Sequence, residues 1–317
     1  MCVCNGGSSC CDGKYPGCWI SKPTTLSASP VSTKTESELP KIISHQPEEI
    51  VALLSDLQPG LRTPTYDVGA FRVRFDRWVG ALKRLYTIHS TDRAIPKLWI
   101  AAGGDFIEGE PFTHRINLAE MDADSGGIVD ILRQKRLVQD VVAAGIAELC
   151  EIFGAVELVG VAGNHGAARH RDASRRSNDD LEVYYSIGDR LAGTKNFTLT
   201  VDPTKFYAVF RVCGHPLLLV HGHQIKMWSR TPLYGIVNMV TLWHQVIPEP
   251  FEYVLMGHFH SLQYTNAVGT PVYLNGAFVY DDEFSMSRGL KASAQQWVIG
   301  IHPKYGVTWE RRVWLKS

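Results

Sequence analysis

With 317 residues, 45% of them hydrophobic, the chain can bury one large core, or one core plus an appendage. No apolar run approaches the roughly 20 residues that span a bilayer, and the N-terminus lacks the charged-then-apolar order of a secretory signal, which predicts a soluble intracellular protein without a membrane partner. Formal net charge is zero, 32 basic side chains against 32 acidic ones, so whole-chain electrostatics announce neither nucleic acid nor membrane.

Residues 1–47 read differently from the rest. Cys2, Cys4, Cys10, Cys11 and Cys18 crowd its start, five of the seven cysteines in the chain. They form no clean pair of CxxC knuckles, so a zinc site, disulfides and a reduced tail all stay open. Ser21–Glu38 is rich in Ser, Thr and Pro, a composition that does not offset its ordering entropy, and residues 1–47 are predicted to be a flexible arm. Residues 48–317 are predicted to be the folded domain. Ile50–Leu54 reads as a buried strand ending at Ser55-Asp56, and Ala70–Tyr86 carries apolar residues at helical spacing. The basic residues Arg72, Arg74, Arg77, Lys83 and Arg84 of that region read as a solvated face. Leu98–Ala102 is a second strand stopping at Gly103-Gly104-Asp105. A long helix is predicted over Ile128–Phe153, then a third strand, Val156–Ala162, ends at Gly163-Asn164-His165. After a helix near Leu181–Leu191, Phe206–Val212 and Leu217–Val220 read as a hairpin whose second strand ends at His221. Tyr253–Met256 runs into Gly257-His258, and Trp297–His302 with Val307–Leu315 closes the chain as a hairpin. Mixed elements with local and crossover connections predict a layered α/β sandwich.

The polar residues fall at the strand ends. Five apolar strands stop at Asp56, Asp105, Asn164, His221 and His258, and ligands of open α/β sheets gather outside the carboxyl ends of strands. Gly104, Gly163 and Gly257 precede three of these residues and permit the sharp turns and close approach that let side chains from separate strands converge. Carboxylate, amide oxygen and imidazole together suit Mn²⁺, Fe²⁺ or Zn²⁺, and no cysteine stands among them.

Asp56-Leu57-Gln58, Gly104-Asp105, Gly163-Asn164-His165, His221 and Gly257-His258-Phe259-His260 resemble, in order, the five motifs of the calcineurin-like metallophosphoesterases. Asn275-Gly276-Ala277 and the acidic Asp281-Asp282-Glu283 resemble, less specifically, branches of that family found in phage and bacterial genomes. The resemblance implies a four-layer α-β-β-α sandwich with two mixed β-sheets and a binuclear centre of two divalent ions, Mn²⁺ foremost, with Fe, Zn or Mg as alternatives. By the same resemblance Asp105 bridges the ions, Asp56, Gln58 and His260 complete one, and Asn164, His221 and His258 complete the other. His165 then protonates the leaving oxygen or stabilises the transition state. Two positions depart from the family pattern. Gln58 stands where the family has histidine, and Gly166 follows the GNH tripeptide where an acidic residue is common, so a carboxylate for His165 is expected from Asp172 or Asp179.

Three functions remain open on sequence. A phosphodiesterase or nuclease acting on DNA or nucleotides in the cytoplasm, or in a phage-infected host, is favoured by the basic run that starts Arg169-His170-Arg171, which could hold phosphates. A small-substrate phosphatase is favoured by the interval Glu108–Gly127, read as a lid with Glu120, Asp122 and Asp124. A metal-free scaffold is allowed by Gln58. His223 is read mainly as a neighbour of the site rather than a ligand. Oligomeric state is left open.

Overall fold

The computed structural model describes residues 46–109, 130–168, 174, 176–226, 232–280 and 293–316. Nearly all of the predicted arm, the run Arg169-His170-Arg171 and most of the predicted lid lie outside these residues.

In chain order the elements are β1 (Glu49–Leu54), α1 (Val68–His89), β2 (Lys97–Ala102), α2 (Ile131–Cys150), β3 (Ala155–Gly160), α3 (Asp179–Arg190), β4 (Phe197–Val201), β5 (Tyr207–Val212), β6 (His215–Val220), α4 (Leu233–Val246), β7 (Tyr253–Met256), β8 (Gln263–Ala267), β9 (Thr270–Leu274), β10 (Gln295–His302) and β11 (Gly306–Trp314). A six-stranded sheet runs β11-β10-β1-β2-β3-β4, and a five-stranded sheet runs β5-β6-β7-β9-β8. Both are mixed. β1, β2, β3 and β4 are parallel neighbours and β10 and β11 pair antiparallel, while β6 is parallel to β7 and antiparallel to β5.

Strand alternation sorts the apolar residues into three layers. Ile50, Ala52 and Leu54 of β1, with Leu98 and Ile100 of β2, pack under α1, α2 and α3. Val51, Leu53, Trp99 and Ala101 point the other way and meet Leu217, Leu219, Leu255 and Tyr273 of the second sheet. Leu218, Val220, Val254 and Met256 turn outward and are covered by Ile236, Val240 and Trp243 of α4. The result is the α-β-β-α sandwich. It also explains why β1, β2, β6 and β7 read as unbroken apolar runs: both faces of each are covered. Side-chain caps start three helices, with Asp67 accepting from Ala70 N–H, Asp130 from Leu132 N–H and Asn178 from Asp180 N–H. Among the described residues no helix is long and apolar enough to cross a membrane.

Arg74 departs from the solvated face expected of its neighbours. It is buried, donates to the carbonyls of Thr65 and Phe278, and its guanidinium lies over the rings of Tyr66 and Tyr280. It ties the loop after β1 to the segment after β9, both of which border the site described next.

Candidate metal centre

Because β1, β2 and β3 are parallel neighbours in one sheet, and β6 and β7 in the other, their carboxyl ends open on the same side of each sheet. Asp56, Asp105, Asn164, His221 and His258 follow these five ends. The loops are drawn together by backbone bonds across them. Asp56 N–H donates to the Gly104 carbonyl (3.0 Å), Leu57 N–H to the Asp105 carbonyl (2.9 Å) and Gly257 N–H to the His221 carbonyl (2.9 Å).

The approach is close enough that glycine is required. Gly104 has φ +88°, and a Cβ there would stand 2.7 Å from Gly163 Cα. A Cβ on Gly163 would fall inside the Asp105 carboxylate. The residues between the glycines bear the cost of the turns. Asp56, Gln58, Asp105, His258 and His260 all adopt positive φ, between 44° and 72°. Non-glycine residues held there cost on the order of 1–3 kcal/mol each and persist only where the surroundings fix them.

At the centre lies an arrangement of acceptors that suits a positive charge. His221 is fully buried and its Nδ1 is 2.7 Å from the Gly103 carbonyl. A carbonyl only accepts, so the Nδ1 carries the proton and a neutral ring leaves a lone pair on Nε2. That Nε2 faces Asp105 Oδ2 and Asn164 Oδ1, each at 3.0 Å. His258 adds a second imidazole, 5.1 Å from His221 between ring centroids. One donor atom each from Asp105, His221 and His258 lies within 4.8 Å of the other two. A second proton on His221 or a cation would fill the gap. Burial opposes that proton, but the Asp105 carboxylate outweighs it and lifts the His221 pKa to about 9. Burial and the adjacent His221 push His258 down to about 2, which keeps its lone pair available. Burial also works against the charge on Asp105, yet His221 and His165 hold its carboxyl well below the ordinary range. A carboxylate, an amide oxygen and two imidazoles around one point are a donor set that fits a borderline divalent ion.

The remaining predicted residues flank this group. His260 Nε2 is 3.3 Å from Asp56 Oδ1. Gln58 is buried, its Nε2 is 3.2 Å from His165 Nε2, and its Oε1 has no hydrogen-bond partner among the described residues. His165 donates its backbone N–H to Asp105 Oδ1 (2.9 Å) and its Nδ1 sits 2.9 Å from the Glu108 carbonyl. His223 is exposed beside the group, its ring 5.4 Å from His221 and 6.3 Å from His258.

Of the two predicted sources of a carboxylate for His165, one is engaged elsewhere and the other is not described. Asp179 is engaged by Lys135 at 2.9 Å, and Asp172 lies outside the described residues. The acid beside the ring is Glu108, buried, with Oε2 3.5 Å from Nδ1. Burial lowers the His165 pKa, and Asp105 and Glu108 more than reverse this, leaving it raised. Glu108 stands three residues after Asp105, so only the fold brings it to a histidine on another loop.

Two supports were also missed. Asp180, fully buried in the first turn of α3, accepts from Asp105 N–H and Gly163 N–H on Oδ2 (2.9 and 2.8 Å) and from Phe106 N–H on Oδ1 (2.9 Å). One carboxylate thus pins the β2 and β3 loops together. Burial, then Asp105, raises its pKa to about 6 despite the three donors, so it is ionised at neutral pH. On the other side Ser55 Oγ donates to Asp56 Oδ2 (2.5 Å), Asn275 Nδ2 donates to Ser55 Oγ (3.0 Å), and Gln296 Oε1 accepts from Ser55 N–H (3.1 Å).

No family model matches the sequence, and no curated protein matches it. Solved structures of similar fold include a predicted phosphoesterase of Streptococcus pneumoniae (10% identity over 84% of this chain and 97% of that one, TM-score 0.35). They also include an archaeal phosphodiesterase (10%, 84% and 99%, TM-score 0.38) and a zinc-complexed Vps29 of Entamoeba histolytica (12%, 84% and 99%, TM-score 0.35). At such identities and scores the site assignments stand on the residues alone.

Proposed function

We propose that the chain is a metal-dependent phosphoesterase that hydrolyses phosphodiester bonds of nucleic acid or nucleotides at a pair of divalent cations, Mn²⁺ foremost. The observation that carries this reading is the buried His221 Nε2 facing two oxygens at 3.0 Å with His258 alongside, where a cation satisfies what the protein's own groups leave in opposition. Asp105 would serve both ions. Asn164, His221 and His258 would hold one, and Asp56, Gln58 and His260 would hold the other. Two such cations supply a nucleophile at neutral pH and neutralise the charge that develops on the phosphoryl group.

The chain's own residues supply the rest. Loops pinned by Asp180 hold Asp105 and Asn164 in place before substrate arrives, so little reorganisation is needed during the reaction. His165, half-buried at the edge of the group, would protonate the leaving oxygen from Nε2 once that atom takes up a proton and gives up the Gln58 amide N–H that it accepts in this structure. Its Nδ1 is held by the Glu108 carbonyl, and the Asp105 and Glu108 carboxylates favour the protonated ring. Arg169, His170 and Arg171 follow His165 closely in sequence, and we assign them to the non-bridging phosphate oxygens.

The test offers metal-free and Mn²⁺-loaded protein single-stranded DNA, duplex DNA, bis-p-nitrophenyl phosphate and p-nitrophenyl phosphate. Turnover of diesters but not the monoester, only with metal, is expected. DNA cleavage should fall steeply with salt if the basic run holds phosphates. Monoester turnover alone would transfer the assignment to a small-substrate phosphatase. No turnover and no bound metal would leave a scaffold. Asp105→Asn should lower diester turnover by at least about 10³-fold, because both cation sites lose a shared charge. Gln58→Ala should cost less. Equal losses would contradict the division of ligands given above.

A further inference from the structure

Resting on that reading, the two halves of the centre are not equivalent, and we infer that the cations load in a fixed order with unequal affinity. The half formed by Asp105, Asn164, His221 and His258 is preassembled. Its donors already converge, with His221 fixed from behind by the Gly103 carbonyl at 2.7 Å. A cation bound there would stand between His221 Nε2 and the two oxygens that face it at 3.0 Å.

The half formed by Asp56, Gln58 and His260 is assembled differently. The Asp56 carboxylate is already occupied, by Ser55 Oγ at 2.5 Å and by His258 N–H at 3.1 and 3.2 Å to its two oxygens. His260 Nε2 lies 3.3 Å from Asp56 Oδ1, but among the described residues the three donors that converge are Asp105, His221 and His258, not those of this half. Gln58, like Asn164 in the other half, offers a neutral amide oxygen, but this half sets one imidazole beside it where the other sets two, the donors that suit Mn²⁺, Fe²⁺ or Zn²⁺. Its buried Oε1 is available for that purpose, but its Nε2 is engaged with His165 at 3.2 Å. Ligation through Oε1 while Nε2 stays bonded makes Gln58, like Asp105, a residue that touches both the second cation and His165. The second site is therefore the weaker one, and its occupancy fixes the side chain that orients the leaving-group histidine. Catalytic competence then follows free metal concentration through this half alone.

The experiment uses the full chain stripped of metal, titrated with Mn²⁺ by calorimetry and followed by the paramagnetic resonance of the bound ion. Two steps summing to two ions are expected, with affinities separated by roughly tenfold or more, the size of effect typical when a ligand's quality changes. Gln58→Glu, which keeps the shape of the buried side chain, should tighten the weaker step and leave the tighter one unchanged. Gln58→His should do the same if the ring fits, with thermal melting used to confirm folding. Asp56→Asn should remove the weaker step only. Two steps of equal affinity, or a Gln58→Glu variant with unchanged steps, would overturn the inference and leave the phosphoesterase reading intact. Loss of the tighter step in Asp56→Asn would reverse the order. A folded chain that binds no Mn²⁺ would remove both the inference and the proposed function.

Discussion

Asp105 and Asp56 end neighbouring parallel strands and face the same opening, yet different chemistry holds each in place. The loops carrying Asp105 and Asn164 are gathered by one charged group, Asp180, whose two oxygens take three backbone N–H donors. Asp56 is held by neutral side chains passed along from Ser55 to Asn275 and Gln296, three residues drawn from β1's end, β9's end and β10. A single ionised acceptor concentrates support in one residue, while a relay of amides and a hydroxyl spreads it. The first arrangement is strong and brittle, and the second tolerates the loss of one member.

That contrast can be broken most directly at Asp180. Asp180→Ala strands three buried donors and should cost about 3–5 kcal/mol, measured by urea unfolding, because each unsatisfied buried group costs about 1–3 kcal/mol. Asp180→Asn keeps one accepting oxygen and turns an NH₂ toward the remaining donor, so an intermediate loss is expected. If both variants unfold at the wild-type midpoint, the clamp is not where the loops are held. Gly163→Ala should come next, at about 1–3 kcal/mol for overpacking, since its methyl collides with the Asp105 carboxylate. Metal binding should suffer more than stability in this variant, and calorimetry beside thermal melting separates the two. Ser55→Ala should be mildest, at about 1 kcal/mol for one hydrogen bond. A double-mutant cycle of Ser55→Ala with Gln296→Ala should show a coupling near 0.5 kcal/mol or above, as expected of contacting partners. Strict additivity would mean the relay is not a unit.

The strands that carry the site were legible in the sequence for the same reason that they are useful. Leu98–Ala102 and Tyr253–Met256 are covered on both faces, so they read as short apolar runs whose abrupt polar ends stand out. Phe197–Val201 and Gln263–Ala267 were not read as strands. They lie at the sheet edges; Phe197–Val201 alternates apolar residues with threonine as a half-buried strand does, a signal that went unread, while Gln263–Ala267 is too polar to show one as clearly. The motif residues were visible because each sits beside a strand end. Glu108, Asp180 and Gln296 were invisible because their roles arise only where loops far apart in sequence meet. A carboxylate for His165 was sought near it in the chain, and among the described residues Glu108, on the neighbouring loop, stands beside its ring.

The positive φ angles of Asp56, Gln58, Asp105, His258 and His260 carry a consequence for anyone selecting sturdier forms of this molecule. Glycine or asparagine relaxes such backbone at little steric expense, so a screen for heat resistance alone would drift toward those residues at these five positions. Each accepted change would strip a donor from the cleft. Heat-hardened descendants would keep the sandwich and lose the capacity to grip an ion, and only a selection that demands both properties at once would retain them.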